Sequence, residues 1–103
     1  MPAKVTNTIS KVDEEDSLLC IESAATNIEI VFDTDLSIFV ASNEWKWDIR
    51  HKRVYSFVNG RRVELHKMLA ERRMTPKQVG YITFINSARP DYRCKNMVIR
   101  TRD

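Results

Sequence analysis

Glycine and histidine are scarce in this sequence, which contains only two of each among its 103 residues. Loops that cradle nucleotide phosphates need several glycines close together, because their backbone must approach the ligand without a Cβ atom. Two histidines, His51 and His66, with two distant cysteines do not make a zinc pattern, and no G-x-S-x-G motif is present. We therefore expect no cofactor and no metal.

Cysteine and long apolar runs are also rare. Cys20 and Cys94 lie far apart and neither has a C-x-x-C partner, so we expect two reduced thiols rather than a disulfide. No apolar run approaches the roughly 20 residues that a membrane span needs. The N-terminus lacks the basic-then-apolar pattern of a signal peptide. These absences favour a cytoplasmic protein with no membrane partner.

The composition is that of a folded chain, since 43% of the residues are hydrophobic and 30% are charged. A chain of this length can bury one modest core. We predict a single domain over residues 1–103. It comprises an acidic segment (1–27), a strand–helix–strands–helix region (28–73) and a C-terminal hairpin (74–103).

Charge is divided unequally between the two halves. Residues 1–45 hold two basic residues against nine acidic ones, whereas residues 46–103 hold fifteen against five. Two explanations remain open at this point. The acidic half pairs with the basic half within the fold, or the basic half exceeds what packing needs and binds a polyanion.

Local patterns predict an α+β fold of small antiparallel sheets with two short helices. Apolar or alternating runs between turn-forming residues favour strands. The predicted strands are one edge strand within Val5–Val12 and then Ser17–Ser23, Asn27–Phe32, Trp45–Ile49, Val54–Val58, Arg61–Leu65, Tyr81–Ile85 and Met97–Ile99. The Asn59-Gly60 dipeptide predicts a tight turn, and Thr75-Pro76 predicts the end of the second helix at another turn.

Two stretches have the periodicity of helices. Asp33-Thr34-Asp35 is typical of a helix start, and Leu36, Phe39 and Val40 then share one face. A second short helix is predicted over His66–Arg73. The tryptophans of the Trp45–Ile49 strand are expected in the core, with base stacking as the alternative.

The segment Ile82–Thr101 resembles the strand–loop–strand core of HNH homing endonucleases of phages and mobile introns, which runs roughly V-D-H-I-N-G-x-x-L-D-N-R-x-x-N-L-R-x-V-T. The residues that match this pattern are Ile82, Ile85, Asn86, Asp91, Arg93, Asn96, Met97 and Thr101. Upstream features of the family also occur in order, so that the similarity spans about residues 28–102. These features are Asp33-Thr34-Asp35, Trp45 or Trp47, Tyr55, Gly60 and Leu65-His66-Lys67.

The chain departs from the family at the catalytic positions. Thr83 stands where the family has its metal-binding Asp, and Phe84 where it has its general-base His. Asn96 matches the central Asn that orients the base. The sequence ends at Asp103, before the final helix of the family could form. The resemblance thus implies an incomplete ββα-metal-like hairpin with no catalytic or metal residues, and we expect a protein that is not an enzyme.

The function implied by the resemblance is binding of double-stranded DNA by a phage or mobile-element protein, for example a transcriptional regulator. The residues predicted to contact DNA are Arg50, Lys52, Arg53, Arg61, Arg62, Arg89, Arg93, Lys95 and Arg100. The alternative is a phage-encoded module that inhibits or redirects a host enzyme, using the acidic segment, Phe84, Tyr92 and the tryptophans as its surface. Residual nuclease activity with displaced ligands is a third possibility.

Overall fold

The computed structural model of the protein describes residues 4–73 and 79–101. The predicted Thr75-Pro76 turn lies outside these ranges. Within them the chain forms eight strands and two α-helices. The strands are β1 Thr6–Lys11, β2 Asp16–Glu22, β3 Asn27–Asp33, β4 Lys46–Asp48, β5 Arg53–Val58, β6 Arg61–Glu64, β7 Val79–Phe84 and β8 Met97–Thr101; the helices are α1 Ser37–Ala41 and α2 Leu65–Arg73.

The first sheet is an antiparallel meander in the order β1-β2-β3. Successive strand residues point to opposite faces, so alternate residues of β2 and β3 reach the core. Leu19 and Ile21 from β2 and Ile30 and Phe32 from β3 are buried there. The three strands predicted in this part of the chain are confirmed.

The second sheet has the order β4-β5-β6, and a two-residue turn joins its last two strands. Asn59 and Gly60 occupy this turn with φ angles of 52° and 78°. Positive φ at both positions gives the turn a twist that suits a hairpin, and Asn and Gly tolerate it best. The predicted tight turn is confirmed.

The first helix forms where the sequence predicts it, but its start is built differently. A 3-10 turn at Thr34–Leu36 leads into α1, and Leu36 and Val40 are buried. Asp33 stands at the N-cap position of this turn but makes no capping hydrogen bond. Its carboxylate instead accepts a hydrogen bond of 2.8 Å from the backbone N–H of Cys94. A distant part of the chain therefore uses the acceptor that local pattern assigns to the helix.

Trp45 is fully buried and its indole Nε1 donates a hydrogen bond of 2.7 Å to the carbonyl of Val40. This partner removes the cost of burying the indole N–H. Trp47 is half-buried against the same core. The alternation of the sequence predicts Ile49 on the same side of the strand as the two tryptophans. This prediction is wrong, because β4 ends at Asp48 and Ile49 is exposed.

The third sheet consists of β7 and β8, and the loop between them is attached to the first sheet. Tyr92 N–H donates to the carbonyl of Val31 at 2.8 Å, and Val31 N–H donates to the carbonyl of Pro90 at 3.2 Å. Helix α2 packs against β5, β6 and β7 through Leu65 and Leu69. The expected α+β fold of small antiparallel sheets with two short helices is confirmed, and the described residues form three such sheets.

Candidate nucleic-acid interface

A single buried side chain fixes the loop between β7 and β8. Asn96 is only 7% exposed, and its Oδ1 accepts a hydrogen bond of 2.9 Å from the backbone N–H of Asn86. Its Nδ2 donates to the carbonyls of Asn86 at 3.0 Å and Asp91 at 2.9 Å. All three contacts are to the backbone, so Asn96 determines the path of residues 86–91.

This loop forms one wall of a groove of about 580 Å³, and the turn before β5 forms the other wall. We call it the basic groove and define it by its cationic and aromatic lining, with His51 beside them. These residues are Trp47, His51, Lys52, Arg53, Phe84, Arg89 and Tyr92. Basic side chains next to aromatic rings offer a phosphate contact and a stacking surface in one place.

Aromatic rings form the floor of the basic groove. The rings of Phe84 and Tyr92 are stacked with centroids 5.4 Å apart, and the His66 ring lies 5.6 Å and 5.5 Å from them. The guanidinium of Arg53 is 5.9 Å from the centroid of Phe84. Tyr92 is only 3% exposed. The expectation that Tyr92 and the tryptophans form an outer protein-binding surface is therefore wrong for Tyr92 and Trp45, which belong to the core.

Arg61 and Arg62 do not act as one cluster, because adjacent strand residues point to opposite faces. Arg62 lies across from Phe57, and Arg61 across from Val58. The Arg62 guanidinium stacks 4.1 Å from the Tyr55 ring centroid and donates to Asp48 at 3.0 Å. The positive charge of Arg62 is therefore partly neutralised by Asp48 within the second sheet.

Asp48 also holds His51 at the edge of the basic groove. Its Oδ2 is 2.9 Å from His51 Nδ1, and its Oδ1 accepts from the His51 backbone N–H at 3.1 Å. The side-chain and backbone hydrogen bonds from His51, together with that from Arg62, lower the pKa of Asp48 despite some desolvation. The carboxylate thus orients the imidazole.

Arg93 and Lys95 lie on the acidic side of the molecule rather than in the groove. Arg93 makes a bidentate pair with Asp91, from Nε at 2.8 Å and Nη2 at 2.6 Å, and reaches Asp16 at 3.2 Å. Lys95 is exposed and lines a cleft with the acidic residues Glu14, Glu15, Asp16, Asp33 and Asp35. Phosphate binding is therefore disfavoured at these two positions.

The remaining predicted residues, Arg50 and Arg100, are exposed but do not line the groove. Arg100 pairs across the third sheet with Tyr81, toward the end opposite the 86–91 loop. Of the nine basic residues predicted to contact DNA, three meet in the groove: Lys52, Arg53 and Arg89. Lys52 and Arg53 are adjacent in sequence, and the fold brings Arg89 to them from a distant segment.

Some basic residues of the second half pair with acidic residues of the first half, as one of the two explanations of the charge asymmetry requires. Arg73 of the basic half contacts Asp35 at 2.6 Å and Asp33 at 3.3 Å, and Arg93 contacts Asp16. Burial opposes ionisation of Asp91, yet hydrogen bonds from Arg93 lower its pKa. Intramolecular pairs thus use part of the basic charge, and the groove keeps another part facing solvent.

Sequence reasoning missed the clamp made by Asn96 and the contact of His66 with the floor of the groove. No local signal indicates either, because both depend on how α2 and the hairpin pack together. The separation of Arg61 from Arg62 does have a signal. The Asn59-Gly60 turn places both residues in a strand, where neighbours alternate between faces.

Among residues 4–73 and 79–101, no three His, Cys, Asp or Glu side chains come together as a metal-binding group. No helix in that part of the chain is long and apolar enough to cross a membrane. In comparisons with known proteins, no family model, curated protein or solved structure matches this chain.

Proposed function

We propose that this protein binds double-stranded DNA through the basic groove and is a catalytically inactive relative of the HNH nucleases, encoded by a phage or mobile element and acting in the cytoplasm of its host. The observation that carries the proposal is the meeting of Lys52, Arg53 and Arg89 around an aromatic floor. Within the described residues, Lys52 and Arg89 have no carboxylate within 4.0 Å.

Charges that face solvent without a protein partner are suited to a phosphate backbone, because binding releases the counterions condensed on DNA. Arg53 contributes less than the other two, since Glu64 lies 4.0 Å from its Nε atom. The groove offers no base-reading helix. We therefore expect phosphate contacts and groove shape to supply the affinity, as in proteins that position themselves on the backbone.

The absence of catalysis is part of the proposal. Phe84, at the position of the family's general base, has a phenyl ring that cannot accept a proton and that stacks on Tyr92. Thr83, at the position of the metal-binding Asp, is exposed on β7 and offers only a weak neutral ligand to a hard cation. Such a protein regulates by occupying DNA, for instance as a transcriptional regulator.

The test is a mobility-shift titration of duplex DNA at two salt concentrations. Three phosphate contacts predict a slope of about −2.7 in log K against log salt, or about a 40-fold loss between about 50 and about 200 mM salt. The double variant Lys52→Ala, Arg89→Ala should bind more weakly and lower the magnitude of the slope by about two units.

The matched control removes the same number of charges on the acidic side, with Lys11→Ala and Lys95→Ala. Lys11 pairs with Glu14 at 3.1 Å, and Lys95 lines the acidic cleft. This control should keep the wild-type slope. Binding that ignores salt, or equal losses in the two double variants, would refute the proposal.

One observation favours the alternative function as a module that binds and inhibits or redirects a host protein. Tyr81 and Ile85 lie on the outward face of the third sheet with exposed fractions of 64% and 71%. Exposed apolar side chains on one face are typical of protein contacts. A stoichiometric host protein captured after nuclease treatment, and lost with Tyr81→Ser and Ile85→Ser, would support this function over DNA binding.

A further inference from the structure

His66 has a buried polar atom that nothing satisfies. The residue is 8% exposed, and its Nδ1 atom has no hydrogen-bond partner in the described part of the chain. Glu64 Oε2 lies 3.7 Å from Nδ1, which is too long for a hydrogen bond. Buried polar groups are nearly always paired, so Nδ1 is a hydrogen-bonding group that a ligand at this position could use.

His66 lines a small cleft next to the start of α2, and its Nδ1 atom is covered in the free protein. The cleft has a volume of about 240 Å³ and is lined by Arg53, Glu64, His66, Lys67, Gly80, Tyr81 and Ile82. This is about eight times the volume that one water molecule occupies in the liquid. A phosphate group with some of its waters would fit this space.

The electrostatics of the cleft favour an anion. Helix α2 has nine residues, no acidic residue in its first turn, and an N-terminus beside the cleft. The free N–H groups and the dipole of a helix N-terminus attract anions. Arg53 and Lys67 add two positive charges that act on the imidazole of His66. Glu64 and His66 could together contact a metal ion, but these two cations oppose one.

We propose that this cleft binds a phosphate group, held by Arg53, Lys67 and Nδ1 of His66. The imidazole tautomer with its proton on Nδ1 donates to a phosphate oxygen. The half-exposed carboxylate of Glu64 occupies the anion position in the free protein and moves aside. Because Arg53 lines both this cleft and the basic groove, the phosphate is one of the DNA backbone, and in this respect the inference rests on the proposed function.

Titration of protein labelled with ¹⁵N on its histidines tests the site directly. Inorganic phosphate should shift the Nδ1 resonance of His66 along a saturating curve, whereas chloride at equal ionic strength should not. Lys67→Gln should weaken phosphate binding about tenfold through loss of a charged hydrogen bond. Glu64→Gln should strengthen it, because the competing carboxylate is gone. Lys46→Gln, an exposed lysine outside the cleft, should change neither.

The same resonance is then followed with duplex DNA, beside a mobility-shift assay. A shift with both phosphate and DNA supports the inference. No shift with phosphate, or weaker binding by Glu64→Gln, overturns the site. DNA binding without a His66 shift overturns the assignment to the DNA backbone and leaves the proposed function intact. A phosphate shift without any DNA binding overturns the proposed function and shows a site for free phosphate.

Discussion

Asn96 and Asn86 hold each other across the base of the loop that forms one wall of the basic groove. The backbone N–H of Asn86 donates to Asn96 Oδ1 at 2.9 Å, and Asn96 Nδ2 returns a bond of 3.0 Å to the Asn86 carbonyl. The same Nδ2 donates to the carbonyl of Asp91. One amide thus fixes both ends of the segment that carries Arg89.

Replacement of Asn96 by Asp should destabilise the protein by about 2 to 4 kcal/mol. The change removes the donor to two carbonyls and faces them with a negative charge in a buried position. Urea unfolding monitored by tryptophan fluorescence measures the difference. Asn43→Asp is the matched control, because among the described residues the Asn43 amide donates a hydrogen bond only to the neighbouring Ser42. Equal stabilities for the two variants would show that Asn96 does not clamp the loop.

Alanine substitutions at Arg93 and Arg89 should have different effects, the first on the stability of the fold and the second on DNA binding. Arg93→Ala leaves the Asp91 carboxylate, 15% exposed, without its bidentate partner, and should cost about 1 to 3 kcal/mol of unfolding free energy. Arg89→Ala should leave stability within about 0.5 kcal/mol, since its side chain is exposed. DNA affinity should fall for Arg89→Ala. An unchanged affinity for Arg89→Ala, or an unchanged stability for Arg93→Ala, contradicts this division.

Features fixed by local physics could be predicted from the sequence. The Asn59-Gly60 turn depends on two residues that tolerate positive φ, and both adopt it. The alternation in β2 and β3 depends on burial of one face, and Leu19, Ile21, Ile30 and Phe32 follow it. In each case the information lies within a few residues of the chain.

Features that depend on distant contacts could not be predicted in this way. Asp33 has the sequence signature of a helix cap, but a backbone N–H from the C-terminal hairpin competes for its carboxylate. Arg89 and Arg93 are both arginines of the loop between β7 and β8, and nothing local in the sequence distinguishes them. In the structure Arg93 pairs with Asp16 and Asp91, whereas Arg89 lines the groove. The choice between these arrangements is made by packing of the first and third sheets.

Supercoiled plasmid incubated with the protein and magnesium or manganese should remain uncut. The family resemblance places a metal ligand at Thr83 and a general base at Phe84, and neither side chain can perform that step. Agarose electrophoresis against a sample with chelator measures nicking. A nicked product that requires the metal and is lost in the Lys52→Ala, Arg89→Ala variant would show that other residues of the groove have taken over catalysis.

His66 should make the stability depend on pH from about 6.5 downward, starting above the range in which ordinary carboxylates titrate. Burial lowers its pKa to about 4, with Arg53 and Lys67 adding to the effect; Glu64 is half-exposed and at 3.7 Å offsets little of it. The unfolded chain binds the proton at a pKa of about 6.5. The stability is therefore full above pH 6.5 and decreases as the pH falls toward 4, by on the order of 3 kcal/mol.

Thermal or urea unfolding in phosphate-free buffer between these pH values measures the slope. Between pH 6.5 and 4 the unfolded chain takes up a proton on His66 while the folded state keeps it neutral. His66→Gln should therefore reduce the slope, most clearly between pH 6.5 and about 5, where ordinary carboxylates remain ionised. His51→Gln should keep it, because His51 is exposed beside Asp48. Added phosphate should reduce the decrease in wild type, since the proposed anion would stabilise a protonated imidazole in the cleft. A wild-type curve that is already flat from pH 6.5 to 4 would mean that His66 takes up its proton in the folded state without cost.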